Sequence, residues 1–196
     1  MTLDAQYWNN RYLDNDTGWD IGSVSTPLKQ YIDQLSDKNI AVLIPGGGNS
    51  YEAAYLLEKG FTNITIVDFA AQVGERLKEK FSQWLGKGLT VICADFFTLE
   101  GSFDMVLEQT FFCALDPALR SKYAAKMHEL LSDHGKLVGL LFDKNFEGGP
   151  PFGGQMEEYK TLFAALFNIK IMEPCYNSIV PRMGAELFVL MEKKRN

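Results

Sequence analysis

Residues 40–59 constrain the fold more than any other stretch. Ile40-Ala41-Val42-Leu43-Ile44 is an unbroken apolar run of strand length, and such a run belongs to a strand buried on both faces. Pro45-Gly46-Gly47-Gly48-Asn49-Ser50 cannot extend it and reads as a loop. Tyr51 to Lys59 then takes helical spacing, and Gly60 stands where a helix C-cap wants glycine. A strand that is apolar on both faces must be covered on both faces. A strand, loop and helix in that order predict a parallel sheet between two helical layers.

The rest of the chain repeats the theme. Leu28, Tyr31, Ile32 and Leu35 lie at helical spacing ahead of the first strand. Further strands read at Ile64–Asp68, Leu89–Ala94, Phe103–Leu107 and Lys136–Phe142. Helices read over 71–84, from Pro117 to Leu131 and from Met156 to Phe167, with Asp133-His134-Gly135 as a turn. Ile169–Met172 and Leu187–Met191 have no helix between them and read as an antiparallel pair. The expected fold is α/β: a Rossmann-like three-layer sandwich around a seven-stranded, mostly parallel sheet with an antiparallel C-terminal hairpin. One domain spans 1–196, with a core over 27–196. Residues 1–26 stand apart, with Tyr7, Trp8, Tyr12 and Trp19 set among Asn and Asp and no clean apolar face. Loop 173–185 is long for a hairpin, and long loops in compact domains are often functional.

Charge and residue usage narrow the function. The net charge is −6, and the one basic cluster is Lys193-Lys194-Arg195 at the end of the chain. Nucleic-acid binding rests on phosphate neutralisation by a basic surface, so no nucleic-acid partner is expected. Cys93, Cys113 and Cys175 form neither a disulfide framework nor a CxxC pair, and His128 and His134 have no ligand-spaced neighbour. No metal is expected. No apolar run approaches the ~18 residues of a membrane span, and Asp4, Asn9, Asn10 and Arg11 interrupt any leader-like stretch. A reducing, cytoplasmic setting is expected, with no membrane partner.

The chemistry-bearing residues fall in series at the strand ends, where open α/β sheets bind ligands. Gly46 and Gly48 follow the first strand. Asp68 ends the second, 22 residues beyond Gly46. Asp95, followed by Phe96, ends the third, and Glu108 and Gln109 end the fourth. Glycines admit a ligand to the backbone, and an acid about 20 residues further on can hold ribose hydroxyls. A nucleoside-bearing cofactor fits both features. The dinucleotide pattern G-x-G-x-x-G fails, because Tyr51 occupies the third glycine position, and no second domain is present for a dehydrogenase substrate. S-adenosylmethionine, which carries no phosphate, fits the loose loop better than NAD, with Asp95 and Phe96 placed for the adenine. An NAD-linked oxidoreductase and a non-catalytic cofactor-binding module remain the alternatives.

The chain resembles the thiopurine S-methyltransferase family, above all its thiol and halide methyltransferase branch. Trp8-x-x-x-Tyr12, Gly18-Trp19-Asp20 and Thr26-Pro27-Leu28 resemble that branch's aromatic N-terminal segment. Leu43-Ile44-Pro45-Gly46-Gly47-Gly48, Asp95-Phe96-Phe97 and Thr110-Phe111-Phe112-Cys113-Ala114-Leu115-Asp116-Pro117 resemble its core motifs. Gly148-Gly149-Pro150-Pro151-Phe152 and Arg182-Met183-Gly184-Ala185-Glu186 complete the likeness. The resemblance implies methyl transfer from S-adenosylmethionine to a small-molecule acceptor, a thiol, hydrosulfide, thiopurine-like sulfur, thiocyanate or halide. It implies that Trp8, Tyr12 and Trp19 fold over the cofactor. It places Gln109 at the cofactor or substrate edge, where the branch often has tyrosine, and makes a monomer or weak dimer the expected state. Within loop 173–185, Tyr176 is a candidate to hydrogen-bond a thiol and Arg182 to attract an anionic nucleophile, unless Arg182 only pairs with Glu186 at the surface. Phe111, Phe112, Pro150, Pro151 and Phe152 are expected to form an apolar pocket wall, with Cys113 as a small hydrophobe in it.

Overall fold

The structure, a computed structural model, describes residues 3–195. Strands β1 (Val42–Pro45), β2 (Ile64–Asp68), β3 (Leu89–Cys93), β4 (Phe103–Gln109), β5 (Leu131–Phe142), β6 (Phe167–Pro174) and β7 (Glu186–Lys193) form one sheet in the order β3-β2-β1-β4-β5-β7-β6. The first five run parallel, and β7 enters antiparallel between β5 and β6. Helices are α1 (Ala5–Leu13), α2 (Thr26–Asp33), α3 (Tyr51–Glu58), α4 (Ala71–Lys80), α5 (Arg120–Leu130) and α6 (Met156–Ala164).

The sheet separates two apolar layers. One face buries Leu28, Ile32, Leu56, Phe61, Val73 and Leu77 of α2, α3, α4 and the turn after α3 against Ile44 and Ile66. The other packs Tyr123, Met127, Tyr159 and Phe163 of α5 and α6 against Val106, Leu137 and Val189. Because the central strands β1, β2 and β4 are covered on both sides, their apolar runs are nearly continuous rather than alternating, as the sequence pattern required, while the edge strands β3 and β6 are partly exposed. Phe163 sits at the centre of an aromatic group, with ring centroids 6.1 Å from Phe112, 6.3 Å from Tyr123 and 5.8 Å from Phe167.

The local reading differs from the structure at a few boundaries. Asp133-His134-Gly135 forms no turn but lies within β5. There Leu131 pairs with Phe103 and Lys136 with Met105, so β5 carries extra residues in a bulge. The three residues themselves have no partner on β4 and occupy the bulge, between paired positions on either side. The helix after Pro117 begins as a 3-10 turn over Pro117–Leu119, capped by the Asp116 side chain, before α5 starts at Arg120. Helix α4 ends at Lys80, and α6 ends at Ala164 because Phe167 already pairs with Lys193.

The central aromatic group makes a stability prediction. Phe163→Ala should cost about 3–5 kcal/mol in denaturant unfolding, since the removed ring is fully buried and its neighbours are held by both sheet and helices. A loss under about 1 kcal/mol would show that this layer does not carry the fold.

Candidate active site

The carboxyl ends of β1, β2, β3 and β4 open into a cavity of about 920 Å³, roofed by the N-terminal segment. Its floor is the loop after β1. Gly46, at φ +66°, lies so close to Phe111 that a Cβ there would sit 2.5 Å from the ring. Gly48, at φ +51°, has the Tyr12 hydroxyl above it, 3.2 Å from where a Cβ would be. Both positions need glycine for conformation, and Gly46 needs it for space as well. The loop therefore presents bare backbone to the cavity.

Asp68 closes the end of β2. The Ala70 N–H donates to one of its oxygens at 2.9 Å and the Gly48 N–H to the other at 3.3 Å, which ties the two loops together. Burial raises its pKa above the usual carboxylate value, against the backbone hydrogen bonds that favour the ion. Asp95 caps the 3-10 turn Phe96–Thr98 by accepting from the Phe97 N–H at 2.9 Å, and it also faces the cavity. Phe96 is buried beside it, 5.1 Å from the Phe111 ring.

Helix α1 has no fully buried residue, but Trp8 and Tyr12 are half-buried and pack against the apolar layer beneath it. Side chains moor it and the segment behind it. Asp20 accepts from the Asn49 amide, from the Tyr51 hydroxyl at 3.3 Å and from the Gly22 N–H at 2.7 Å. Arg182 donates to the Trp19 carbonyl at 2.7 Å. The Arg76 guanidinium stacks 4.9 Å from the Tyr12 ring centroid. Trp19 meets both Trp8 and Tyr12 edge-to-face, at 5.5 and 5.6 Å, and all three rings border the cavity. Burial, with help from the Asp68 charge, raises the Tyr12 pKa, so the phenol keeps its proton.

The structure thus brings together Trp8, Tyr12, Trp19, Gly46, Gly48, Asp68, Asp95, Phe96, Gln109 and Arg182 around one cavity. It does not bring Tyr176 there. That side chain is 81% exposed, and its hydroxyl donates to Gln30 at 3.1 Å on the outer surface. The long loop reaches the site through Pro181, Arg182 and Ala185 instead. Arg182 is not half of a surface pair. It is 9% exposed and lies 3.3 Å from Glu186, which is 3% exposed and also accepts from the Ser178 hydroxyl at 2.8 Å. The apolar wall consists of Phe111, Phe142, Phe146, Pro150 and Pro151. Phe112 turns away into the core against Tyr123 and Tyr159, and the Phe152 N–H donates to the Cys113 carbonyl from behind the wall. Burial pushes the Cys113 thiol up, so it stays protonated and serves as wall.

Two acids take on roles the sequence reading did not assign. Glu108 is fully enclosed and accepts from the Phe111 and Phe112 N–H groups at 2.8 and 2.9 Å and from the Tyr123 hydroxyl at 2.7 Å. It thereby fixes the loop that carries Phe111 over Gly46. Burial pushes its pKa up to about 7 despite those three donors. Glu52, in the first turn of α3, lies 7% exposed on the cavity wall. An acid at the end of β4 was visible in the sequence, but its role as a bracket was not. Among the described residues no cluster of His, Cys, Asp and Glu could hold a metal ion, and no helix is long and apolar enough to cross a membrane.

The observed features fit S-adenosylmethionine. Bare backbone at Gly46–Gly48 can take the amino-acid part and Asp68 the ribose. Asp95 with Phe96 can take the adenine, and the three N-terminal rings can take a sulfonium. Fold and site define an S-adenosylmethionine-dependent methyltransferase. The chain belongs to the thiopurine S-methyltransferase family, whose sequence profile matches residues 3–194. It is 29% identical over 184 residues to the Arabidopsis thaliana protein named "Probable thiol methyltransferase 2", covering 91% of this chain and 81% of that one. It is 26% identical over 190 residues to thiocyanate methyltransferase 1 of Brassica oleracea, covering 94% and 84%. The solved Burkholderia thailandensis 1,6-didemethyltoxoflavin-N1-methyltransferase, with S-adenosylhomocysteine bound, shares the fold. Its TM-score is 0.76 at 20% identity, over 98% of this chain and 88% of that one.

The raised Glu108 pKa predicts a pH signature. Because it lies above the ordinary 4.5, the folded state holds a proton that the unfolded state releases, and stability falls as pH rises from 4.5 through about 7. Glu52, raised only to about 6, adds its slope below that value. Glu108→Gln can keep the bracket while losing the charge. It should therefore flatten the unfolding midpoint between about pH 6 and 8, where the wild-type midpoint declines. An equal decline in both proteins would remove Glu108 from this role.

Proposed function

We propose that this chain transfers a methyl group from S-adenosylmethionine to a small, soft nucleophile: a thiol, hydrosulfide, thiopurine-like sulfur, thiocyanate or halide. The observation that carries this reading is the acceptor end of the cavity. Phe111, Phe142, Phe146, Pro150 and Pro151 make it apolar, and its buried cation, Arg182, is already balanced by Glu186. Such a wall favours a polarisable, weakly hydrated acceptor over a strongly hydrated one. The relatives named for thiol and thiocyanate methylation support the same class.

When bound, S-adenosylmethionine supplies an electrophilic methyl group on a sulfonium, open to in-line displacement. The chain's own work is to bind, orient and exclude water. Gly46 and Gly48 let the backbone approach, and Asp68 and Asp95 fix the two ends of the nucleoside. Trp8, Tyr12 and Trp19 cover the charged centre, where an aromatic face attracts a cation by ~0.5–2 kcal/mol. The Ser25 hydroxyl donates to Gln109 Oε1 at 2.9 Å, which leaves the Gln109 amide hydrogens to point at a ligand. Arg182, its charge balanced by Glu186, borders the acceptor end and holds the roof through the Trp19 carbonyl. Tyr176 has no part in this scheme. Holding the partners in line is worth an effective molarity of roughly 10⁵–10⁸ M. A thiol is already a few per cent thiolate near neutral pH, and a halide needs no base.

A monomer or weak dimer is the working form that this reading adopts. Three free cysteines and the acidic surface support a reducing, cytoplasmic setting without nucleic-acid or membrane partners. The test is direct. The purified protein should bind S-adenosylhomocysteine in calorimetric titration and ignore NAD. It should then turn over at least one of hydrosulfide, a small thiol, thiocyanate, iodide or a thiopurine. Preferential NAD binding would overturn the cofactor assignment, and transfer confined to oxygen or nitrogen acceptors would overturn the acceptor class.

A further inference from the structure

Two polar side chains on the cavity wall have no work in the scheme above. Ser50 is 2% exposed, and its hydroxyl has no hydrogen-bond partner among the described residues. It sits at the N-cap of α3 in the left-handed region, at φ +47°, a conformation that a non-glycine residue adopts at a cost. Its side chain does not perform the usual capping hydrogen bond. Glu52 follows two residues later. Its carboxylate makes no hydrogen bond to another side chain, only a contact to its own backbone N–H.

The charges around Glu52 do not neutralise it. Lys80, reaching in from α4, is spent on the Asn49 carbonyl at 2.6 Å. Arg182, from the loop before β7, is spent on Glu186 and the Trp19 carbonyl. Asp20, from the N-terminal segment, adds a like charge. Burial accordingly pushes Glu52 up to about 6, with Lys80 and Arg182 opposing only weakly. An acid in the first turn of a helix is ordinarily favoured by the helix dipole. That preference is met equally well by an exposed side chain and does not account for a carboxylate walled into a cavity. A buried carboxylate with no cation of its own and a buried hydroxyl without a partner, both in one helix start, are each costly unless a ligand arrives to use them.

We infer that Glu52 and Ser50 form the subsite for the α-ammonium of the cofactor's amino-acid part, with the Glu52 carboxylate accepting a charge-assisted hydrogen bond and the Ser50 hydroxyl completing the shell. This rests on the methyltransferase reading above and deepens it. The pair lies in the first turn of α3, directly after the bare backbone at Gly46–Gly48, and the same helix end offers free N–H groups to the adjacent carboxylate. One helix end therefore recognises both charges of a zwitterion. It also explains how this loop can hold a cofactor without a phosphate to anchor.

The experiment is a two-by-two calorimetric titration. Wild type and Glu52→Gln are each titrated with S-adenosylhomocysteine and with its deaminated analogue, in which hydrogen replaces the α-amino group. Wild type should prefer S-adenosylhomocysteine by roughly tenfold to hundredfold, and the variant should bind both ligands about equally, close to the wild-type value for the analogue. Thermal melts should show the variant at least as stable as wild type, because an unmatched buried charge has been removed. Should it not fold, Glu52→Ala is read in the same way. Equal loss for both ligands, or no loss for either, would overturn the subsite. Failure of wild type to bind either ligand would instead overturn the cofactor reading on which it rests.

Discussion

The close contact of an aromatic ring with a bare backbone at the carboxyl end of the sheet is the constraint on which the site depends. Phe111, carried by the loop after β4, presses onto Gly46 in the loop after β1, and no side chain fits between them. Glu108 fixes that approach from below by taking the N–H groups of Phe111 and Phe112. From the other side, Asp68 takes the Gly48 N–H and so binds the end of β2 to the same loop. Cofactor floor and acceptor wall are thereby one rigid unit, set by three adjacent strands. A shift in Glu108 would move both at once.

The roof obeys a different logic. Helix α1 buries no residue fully and is held by half-buried Trp8 and Tyr12, by hydrogen bonds, and by stacking within an aromatic cluster. Contacts of that kind are individually weak and depend on what lies beneath them. Arg182 links roof and acceptor end, because one guanidinium serves the Trp19 carbonyl and Glu186 together.

Much of this was legible in the sequence, for specific reasons. The strands are short apolar runs that end in Gly, Asp or Glu, so both the sheet and the line of site residues at its edge follow from the pattern. Trp8, Tyr12 and Trp19 stood out because their segment has no apolar face to bury. Other features depend on partners far away in the chain. Glu108 looked like a strand terminus, and only the fold brings Tyr123 beneath it. Glu52 drew no notice in the sequence, because its burial requires a cavity built from distant loops. Asp133-His134-Gly135 carried a strong turn signal, and the structure uses these residues as a bulge between two positions of β5 that pair with β4. Tyr176 could not be oriented from sequence, since an aromatic in a long loop gives no hint of which side it faces.

The central claim is that the N-terminal segment and the strand-end loops form a single cofactor site. Hydrogen–deuterium exchange with and without saturating S-adenosylhomocysteine tests it most directly. The account predicts new protection in residues 5–20, 46–52, 68–70 and 95–97 together, with none around Tyr176. Protection of the loops with residues 5–20 unchanged at saturation would contradict it, because the aromatic segment would then be no part of the site.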